Sequence, residues 1–178
     1  MKYFEELKRS MNYLASKQDT VFIGQAIEYP GTAMTDTLLD VDREKLIEFP
    51  VTEEFQMGTS IGMAMNGFVP ISIFPRWNFL ILATNQIINH LDKISEISKN
   101  KLTHKVIIRT GIGSQRPLHP QYQHIGDFTE AFSLMAPNID IVRLEEPEDV
   151  FPAYQHAYER SDGMSSIIVE YGDFYNEK

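Results

Sequence analysis

EFPVTEEFQMGTSIGMAMNGFVPISIFPRWNFLILATNQIIN, Glu48 to Asn89, is the stretch whose reading decides the fold. It opens on the end of a short apolar run, Leu46 to Phe49, halted at Pro50, which lacks the N–H that a strand ladder needs. Thr52 then stands where a helix N-cap is expected. Glu53 and Glu54 fall in the first turn, where the positive end of the helix dipole favours carboxylates. The helix is predicted to run to about Met65. Gly58, Gly62 and Ala64 place small residues along it. Glycine inside a helix costs about 1 kcal/mol relative to alanine, so something large is expected to press close on that side. Phe68 to Phe74 (FVPISIF) reads as the next strand, with Pro70 limiting pairing near its start. Trp77 to Ile97 reads as one long helix carrying Leu80, Ile87, Leu91 and Ile94 on a single face.

Outward from this stretch the same alternation continues. Phe4, Leu7, Met11 and Leu14 recur at helical spacing, and Thr20 to Gly24 (TVFIG) is a short buried-strand pattern. Lys105 to Arg109 (KVIIR) is a fourth strand, followed by a long Gly-, Pro-, Gln- and His-rich loop from Thr110 to Gly126. Loops of that length are usually functional or disordered. A helix over Phe128 to Met135, a strand over Ile139 to Leu144, a helix over Glu148 to Arg160 behind Pro147, and a last strand over Ser166 to Glu170 complete the pattern. Short apolar runs alternating with helices predict an α/β fold: a doubly wound, mainly parallel sheet of about six strands with helices on both faces. Ligands of such sheets sit beyond the carboxyl ends of the strands. The loop after Gly24, the turn from Pro50 to Glu54 and the loop after Arg109 are therefore the places to look.

The 178 residues, 43% hydrophobic and 23% charged, fit one soluble domain spanning 1–178. A net charge of -9 leaves no broad basic surface for a nucleic-acid backbone, so no nucleic-acid partner is expected. With no cysteine, thiolate metal sites and disulfides are excluded, which is compatible with the cytoplasmic location expected here. The N-terminus has charges throughout its apolar positions and does not read as a secretory signal. Pro70, Pro75, Arg76 and Asn78 interrupt the most apolar stretch, so no membrane span is expected. His90, His104 and His156 have no ligand spacing, and no metal is assigned to this chain.

Glu48 to Asn89 combines a strand, a Pro-x-Thr-Glu turn, a glycine-spaced helix ending in Asn66-Gly67, a strand ending in aromatics, and a helix with Asn85-Gln86 and Asn89. In this it resembles the pyrimidine-binding domain of the transketolase and 2-oxo acid dehydrogenase superfamily of thiamine diphosphate enzymes, above all the dehydrogenase beta subunit. A weaker likeness continues through Gln121 to His124 (QYQH) and the VEYGDF near the end.

The resemblance implies thiamine diphosphate as cofactor, with Glu53 at the position of the glutamate that hydrogen-bonds the aminopyrimidine nitrogen and so activates the ring. Such a carboxyl needs partly apolar surroundings. An isolated Thr-Glu would more often merely cap a helix, but the flanking match favours the catalytic role. Phe74 and Trp77 match aromatics around the aminopyrimidine, Trp77 being the expected stacking partner; an ordinary core role is the alternative for Phe74. His124 matches a histidine facing the reacting end, able to donate to a substrate carboxylate or oxyanion. His119 could take that role instead, and Arg116 could bind an anionic substrate or sit in water. Gln25 follows Gly24 where the family has an acidic residue; it can hydrogen-bond near the cofactor but carries no charge.

A complete enzyme of this kind also needs a diphosphate-binding domain, whose Gly-Asp-Gly motif holds magnesium. Here Gly126-Asp127 and Gly172-Asp173 are each followed by phenylalanine. Neither that domain nor the C-terminal transketolase domain is expected within the chain. The resemblance thus implies a split decarboxylase, dehydrogenase component or ketol transferase acting on a small-molecule 2-oxo acid or ketose. A partner subunit would hold the diphosphate and Mg2+, as a heterodimer or a self-associating two-plus-two heterotetramer. The competing readings are a non-catalytic regulatory module that kept the fold and a short subunit of the sulfopyruvate-decarboxylase type.

Overall fold

The computed structural model describes residues 2–102 and 104–177, apart from the side chain of Glu177. In chain order the main elements are α1 (Tyr3–Ala15), β1 (Thr20–Gly24), α2 (Ala33–Asp36), β2 (Leu46–Glu48), α3 (Glu53–Met65), β3 (Val69–Ile73), α4 (Trp77–Leu80), α5 (Ile94–Ser98), β4 (Ile107–Ile112), α6 (Thr129–Met135), β5 (Asp140–Arg143), α7 (Pro147–Glu159), β6 (Ser166–Tyr171) and α8 (Phe174–Glu177). The six strands form one sheet in the order β2-β1-β3-β4-β6-β5, and every pairing is parallel. The doubly wound expectation therefore holds.

The cause is visible in the side chains. A strand buried on both faces needs apolar residues at every position, and β1 and β3 are buried along their whole length. Alternate residues point to opposite faces. Phe22, Ile71, Ile73, Ile107 and Ile168 join a core under α1 and α7, with Leu7, Met11, Leu14, Val150 and Tyr154. Phe74, Val106, Ile108, Ile167 and Val169 join a second core with Met57 and Ile61 of α3, Trp77 and Leu80 of α4, and Phe132 of α6. Pro70 is tolerated in a central strand because the pairing of β3 with β4 begins one residue later, at Ile71 with Ile107.

Several boundaries differ from the sequence reading. The helix expected over Trp77 to Ile97 is helical in path but broken in type: α4 runs into a 3₁₀ turn at Ile81–Ala83, then a π-helical segment at Gln86–Leu91, then α5. The apolar face survives, with Leu80, Ala83, Ile87 and Leu91 fully buried. Pattern alone could not show the change of winding, because the buried positions keep spacings of three and four throughout. The fourth strand starts at Ile107 rather than Lys105 and continues to Ile112, because β6 offers a ladder as far as Tyr171. Thr52 stands at the N-cap of α3 but does not cap it; its hydroxyl turns back to the Pro50 carbonyl at 3.4 Å.

The glycines of α3 also depart from expectation. A Cβ added at Gly58 or Gly62 would meet no atom within 4 Å. Nothing among the described residues presses on that side of the helix. Phe55 and Met65 on α3 and Val51 and Phe68 beside it are exposed as well.

Candidate functional site

Because all six strands run the same way, the loops that follow them gather along one edge of the sheet. At the β2 end, Glu48 turns its carboxylate inward and accepts the backbone N–H groups of Ala26, Ile27 and Glu28 at 2.6, 2.8 and 3.1 Å. This fixes the loop after β1, where Ala26 takes a left-handed backbone conformation with φ 54°. Gln25, half-buried, lies at the start of that loop. The sequence reading missed Glu48. Its signal was a charged residue in an otherwise apolar strand.

Glu53 is the first residue of α3 and only 5% exposed. Among the described residues its carboxylate has no hydrogen-bond or ion-pair partner. The carboxylate oxygens themselves are not enclosed, so the side chain is packed along its stem and open at its charged end to a group that arrives from outside. The next turn of the same helix is anchored firmly: Gln56 donates to the carbonyls of Ile23 and Ile73 and to Ser72 Oγ at 3.3, 3.0 and 3.2 Å. Glu53 is thus held by a rigid element over the sheet.

Phe74 ends β3, fully buried, its N–H donating to the Arg109 carbonyl at 2.9 Å. Trp77 is also fully buried, its ring 4.9 Å from that of Phe132 and its indole nitrogen without a hydrogen-bond partner. Both rings belong to the second core, so Trp77 packs inside the chain instead of offering a free face to a cleft. The aromatic that does stand at the loop edge is Phe79, half-buried and edge-on to His124 at 5.7 Å.

His124 sits in a 3₁₀ turn at Tyr122–His124 and is half-buried, with Nδ1 enclosed and unpartnered. His119 is exposed, its Nδ1 accepting the N–H of Gln121 at 3.1 Å. Arg116 is directed to Asp173 at 3.6 Å. Burial pushes the Asp173 carboxyl up. Hydrogen bonds from Ser114 Oγ and the N–H groups of Gln115 and Arg116, with the Arg116 charge, outweigh that and hold it below the usual range.

Toward β6 lies a closed ionic network. Arg109, with no exposed surface, pairs with Glu170 through Nε to Oε1 at 2.7 Å and Nη2 to Oε2 at 3.0 Å. Thr37 Oγ1 accepts from it at 2.9 Å, and Tyr154 and Tyr175 both donate to Glu170. Burial opposes the charge on Arg109, but the Glu170 carboxylate beside it raises its pKa well above the ordinary value. Between this network and His124 is a cavity of about 180 Å³ lined by Arg76, Thr32, Met34, Gly113, Ser114 and Gly172 among others. Arg76 was not singled out from the sequence. Among the described residues no group of three or more His, Asp or Glu side chains is placed to hold a metal ion, and no helix is long and apolar enough to cross a membrane.

Comparison with known proteins fits this architecture. Residues 3–173 match the family described as "Transketolase, pyrimidine binding domain". The chain is 23% identical over 151 residues to the 3-methyl-2-oxobutanoate dehydrogenase subunit beta of Mycobacterium tuberculosis, covering 81% of this chain and 41% of that protein. It is 26% identical over 153 residues to the 2-oxoisovalerate dehydrogenase subunit beta of Bacillus subtilis, covering 84% and 46%. The chain therefore spans less than half the length of these relatives. Among solved structures, a transketolase from Campylobacter jejuni superposes with a TM-score of 0.71 at 16% identity over 94% of this chain and 25% of that one. A split gene transketolase, an inactive beta4 tetramer, superposes with a TM-score of 0.68 at 15% identity over 93% of this chain and 49% of the other. A profile match across nearly the whole length, on a parallel sheet with its loops gathered at one edge, establishes that the chain belongs to the transketolase pyrimidine-binding family.

Proposed function

We propose that the chain is the pyrimidine-binding part of a thiamine diphosphate enzyme, with Glu53 as the group that engages the cofactor's aminopyrimidine. The observation that carries this reading is the burial of Glu53 without a partner. A carboxyl group held on a rigid helix start at the ligand edge of the sheet suits a ring nitrogen that arrives with the cofactor. That fit is chemical: a carboxyl can hold a proton at a pyrimidine nitrogen, and low-dielectric surroundings strengthen the bond.

When bound, the cofactor supplies a nucleophilic carbon that the side chains of a protein lack. This chain's residues bind and orient. Glu53 would hold the proton at the pyrimidine nitrogen, while Phe74 and Trp77 form the apolar packing behind the loop edge instead of a free stacking face. Gln25 offers an amide close by on the loop that Glu48 fixes. His124, half-buried with Nδ1 enclosed, would have to donate to a substrate oxygen through its other ring nitrogen, Nε2. The diphosphate and Mg2+ would be held by a diphosphate-binding domain outside these 178 residues, with a 2-oxo acid or ketose as substrate. The beta-subunit relatives and the split gene transketolase support an arrangement with that domain on a partner subunit, in a two-plus-two assembly. The open side of α3 is the surface we assign to association.

The test is to mix the purified chain with a candidate diphosphate-binding subunit, thiamine diphosphate and magnesium, and to follow decarboxylation and ketol transfer. Activity that Glu53→Gln abolishes is the expected result. If Glu53→Gln leaves partner binding and turnover unchanged and the cofactor has no effect on association, the chain is a binding module and the catalytic reading is wrong.

A further inference from the structure

Arg76 is a half-buried cation without a counter-charge. Among the described residues no carboxylate lies within ion-pairing distance of it. Burial alone acts on its guanidinium, lowering its pKa from the ordinary arginine value. Of the side chains that line the 180 Å³ cavity, Arg76 alone carries a formal charge. The nearby carboxylates are committed elsewhere: Asp173 to Ser114, Gln115 and Arg116, and Glu170 to Arg109, Tyr154 and Tyr175. The cavity walls are otherwise backbone, apolar groups and the neutral side chains of Thr32, Ser114 and Tyr175. A Cβ at Gly113 would run into the carbonyl oxygen of His124, and one at Gly172 would lie 2.5 Å from the Ser114 nitrogen, so these walls stay bare and rigid. The same added Cβ at Gly113 would lie 3.6 Å from Arg76 Nε, which places the guanidinium and the His124 backbone against the same glycine.

A guanidinium fork presented in a small cavity supplies local positive potential in a chain of net charge -9. Its planar geometry suits a carboxylate or phosphate oxygen pair. We infer that the Arg76 cavity is an anion-binding subsite that takes the carboxylate or phosphate group of the substrate. Anion capture here deepens the function proposed above by naming the charged group of the substrate, and rests on that reading for calling the ligand a substrate. Arg116, weighed from the sequence for this role, is paired with Asp173 and exposed.

The experiment needs neither cofactor nor partner. The full chain, labelled with ¹⁵N, is titrated with inorganic phosphate in one series and pyruvate in another, at constant ionic strength. Saturable shifts of the Arg76 Nε–H and the Gly113 and Ser114 amides are expected. Arg76→Gln should weaken binding about tenfold or more, and Arg76→Lys less, because the point charge remains while the fork is lost. Protection of Arg76 from phenylglyoxal by the same anions, read by peptide mass mapping on the unaltered chain, gives a second measurement that no folding defect can mimic. Tighter binding of phosphate assigns a phosphoester substrate, and tighter binding of pyruvate assigns a free 2-oxo acid. Shifts that persist in Arg76→Gln, or labelling of Arg76 that neither anion slows, would overturn the subsite. That failure would leave the Glu53 assay untouched, and anion binding with a dead Glu53 assay would sink the cofactor reading alone.

Discussion

Two ends of one sheet edge carry buried charge in opposite ways. On the β4–β6 side, Arg109 and Glu170 are fully buried and fully partnered, with Thr37, Tyr154 and Tyr175 completing the hydrogen bonds. After β2 and β3, Glu53 is buried and Arg76 half-buried, and neither has a counter-charge among the described residues. Fully enclosing a charge is costly, as at Arg109 and Glu170, and partly enclosing one costs less. In the first the protein offsets the cost by itself, which marks a structural network. In the second no counter-charge is supplied among the described residues, which is what the proposed binding roles of Glu53 and Arg76 require. Burial alone would have classed Glu53 with Arg109 and Glu170; satisfaction separates it from them.

The largest effect expected from this contrast is on turnover. In the assembled enzyme, Glu53→Gln should lower the rate by about 10²–10⁴-fold, the usual worth of a positioned acid–base group. Its unfolding free energy should stay within about 1 kcal/mol of the parent, since no internal partner is lost. A large stability loss with activity retained would move Glu53 to the structural side of the comparison.

Next in size is a stability contrast between the arginines. Arg109→Ala strips Glu170 of its ion pair and should cost about 3–5 kcal/mol in urea unfolding. Arg76→Gln breaks no ion pair and should cost less than about 1 kcal/mol. Equal losses at the two positions would erase the distinction.

How much of this could be read from the chain depends on what each feature requires. The sheet was legible because a strand buried on both faces must be apolar throughout, as TVFIG and VPISI are. Glu53 was legible only through its flanks, the Pro50 stop and the glycine-spaced helix. Arg76 and Glu48 were not, because a single charge beside an apolar run reads as solvated until its surroundings are known. Trp77 went the other way. Its position suggested a stacking face, but the ring found Phe132 at 4.9 Å, a contact between residues 55 positions apart that no local pattern encodes. The long helix hid its π segment because side-chain spacing reports which face is buried and says nothing about backbone winding.

A smaller effect tests the open side of α3. Gly62 has no atom within 4 Å of an added Cβ, so Gly62→Ala should stabilise the isolated chain by about 1 kcal/mol through helix propensity alone. Association with a partner, measured by sedimentation, should weaken at the same time if a helix or loop docks there. Stabilisation without any loss of association would place the interface elsewhere.

The smallest expected effect lies at the far end of the sheet, at a buried group with no site around it. His104 is 5% exposed, with Nδ1 unpartnered and its carbonyl accepting from Ser165 at 2.7 Å. Burial lowers its pKa from 6.5, against a weaker opposing influence from the backbone of Leu102 and Leu91. A depressed folded-state pKa means that the unfolded chain binds this proton more readily. The contribution to stability is therefore full above about pH 6.5 and is lost as pH falls through that value toward the folded pKa. His104→Gln cannot titrate, so its unfolding free energy should fall less steeply than the parent's between about pH 7.5 and pH 5.5. Parallel curves would mean that His104 reaches solvent before it protonates. The incomplete hydrogen bonding at Nδ1 would then be a feature of packing with no consequence for stability, unlike the unpaired charges at the ligand edge.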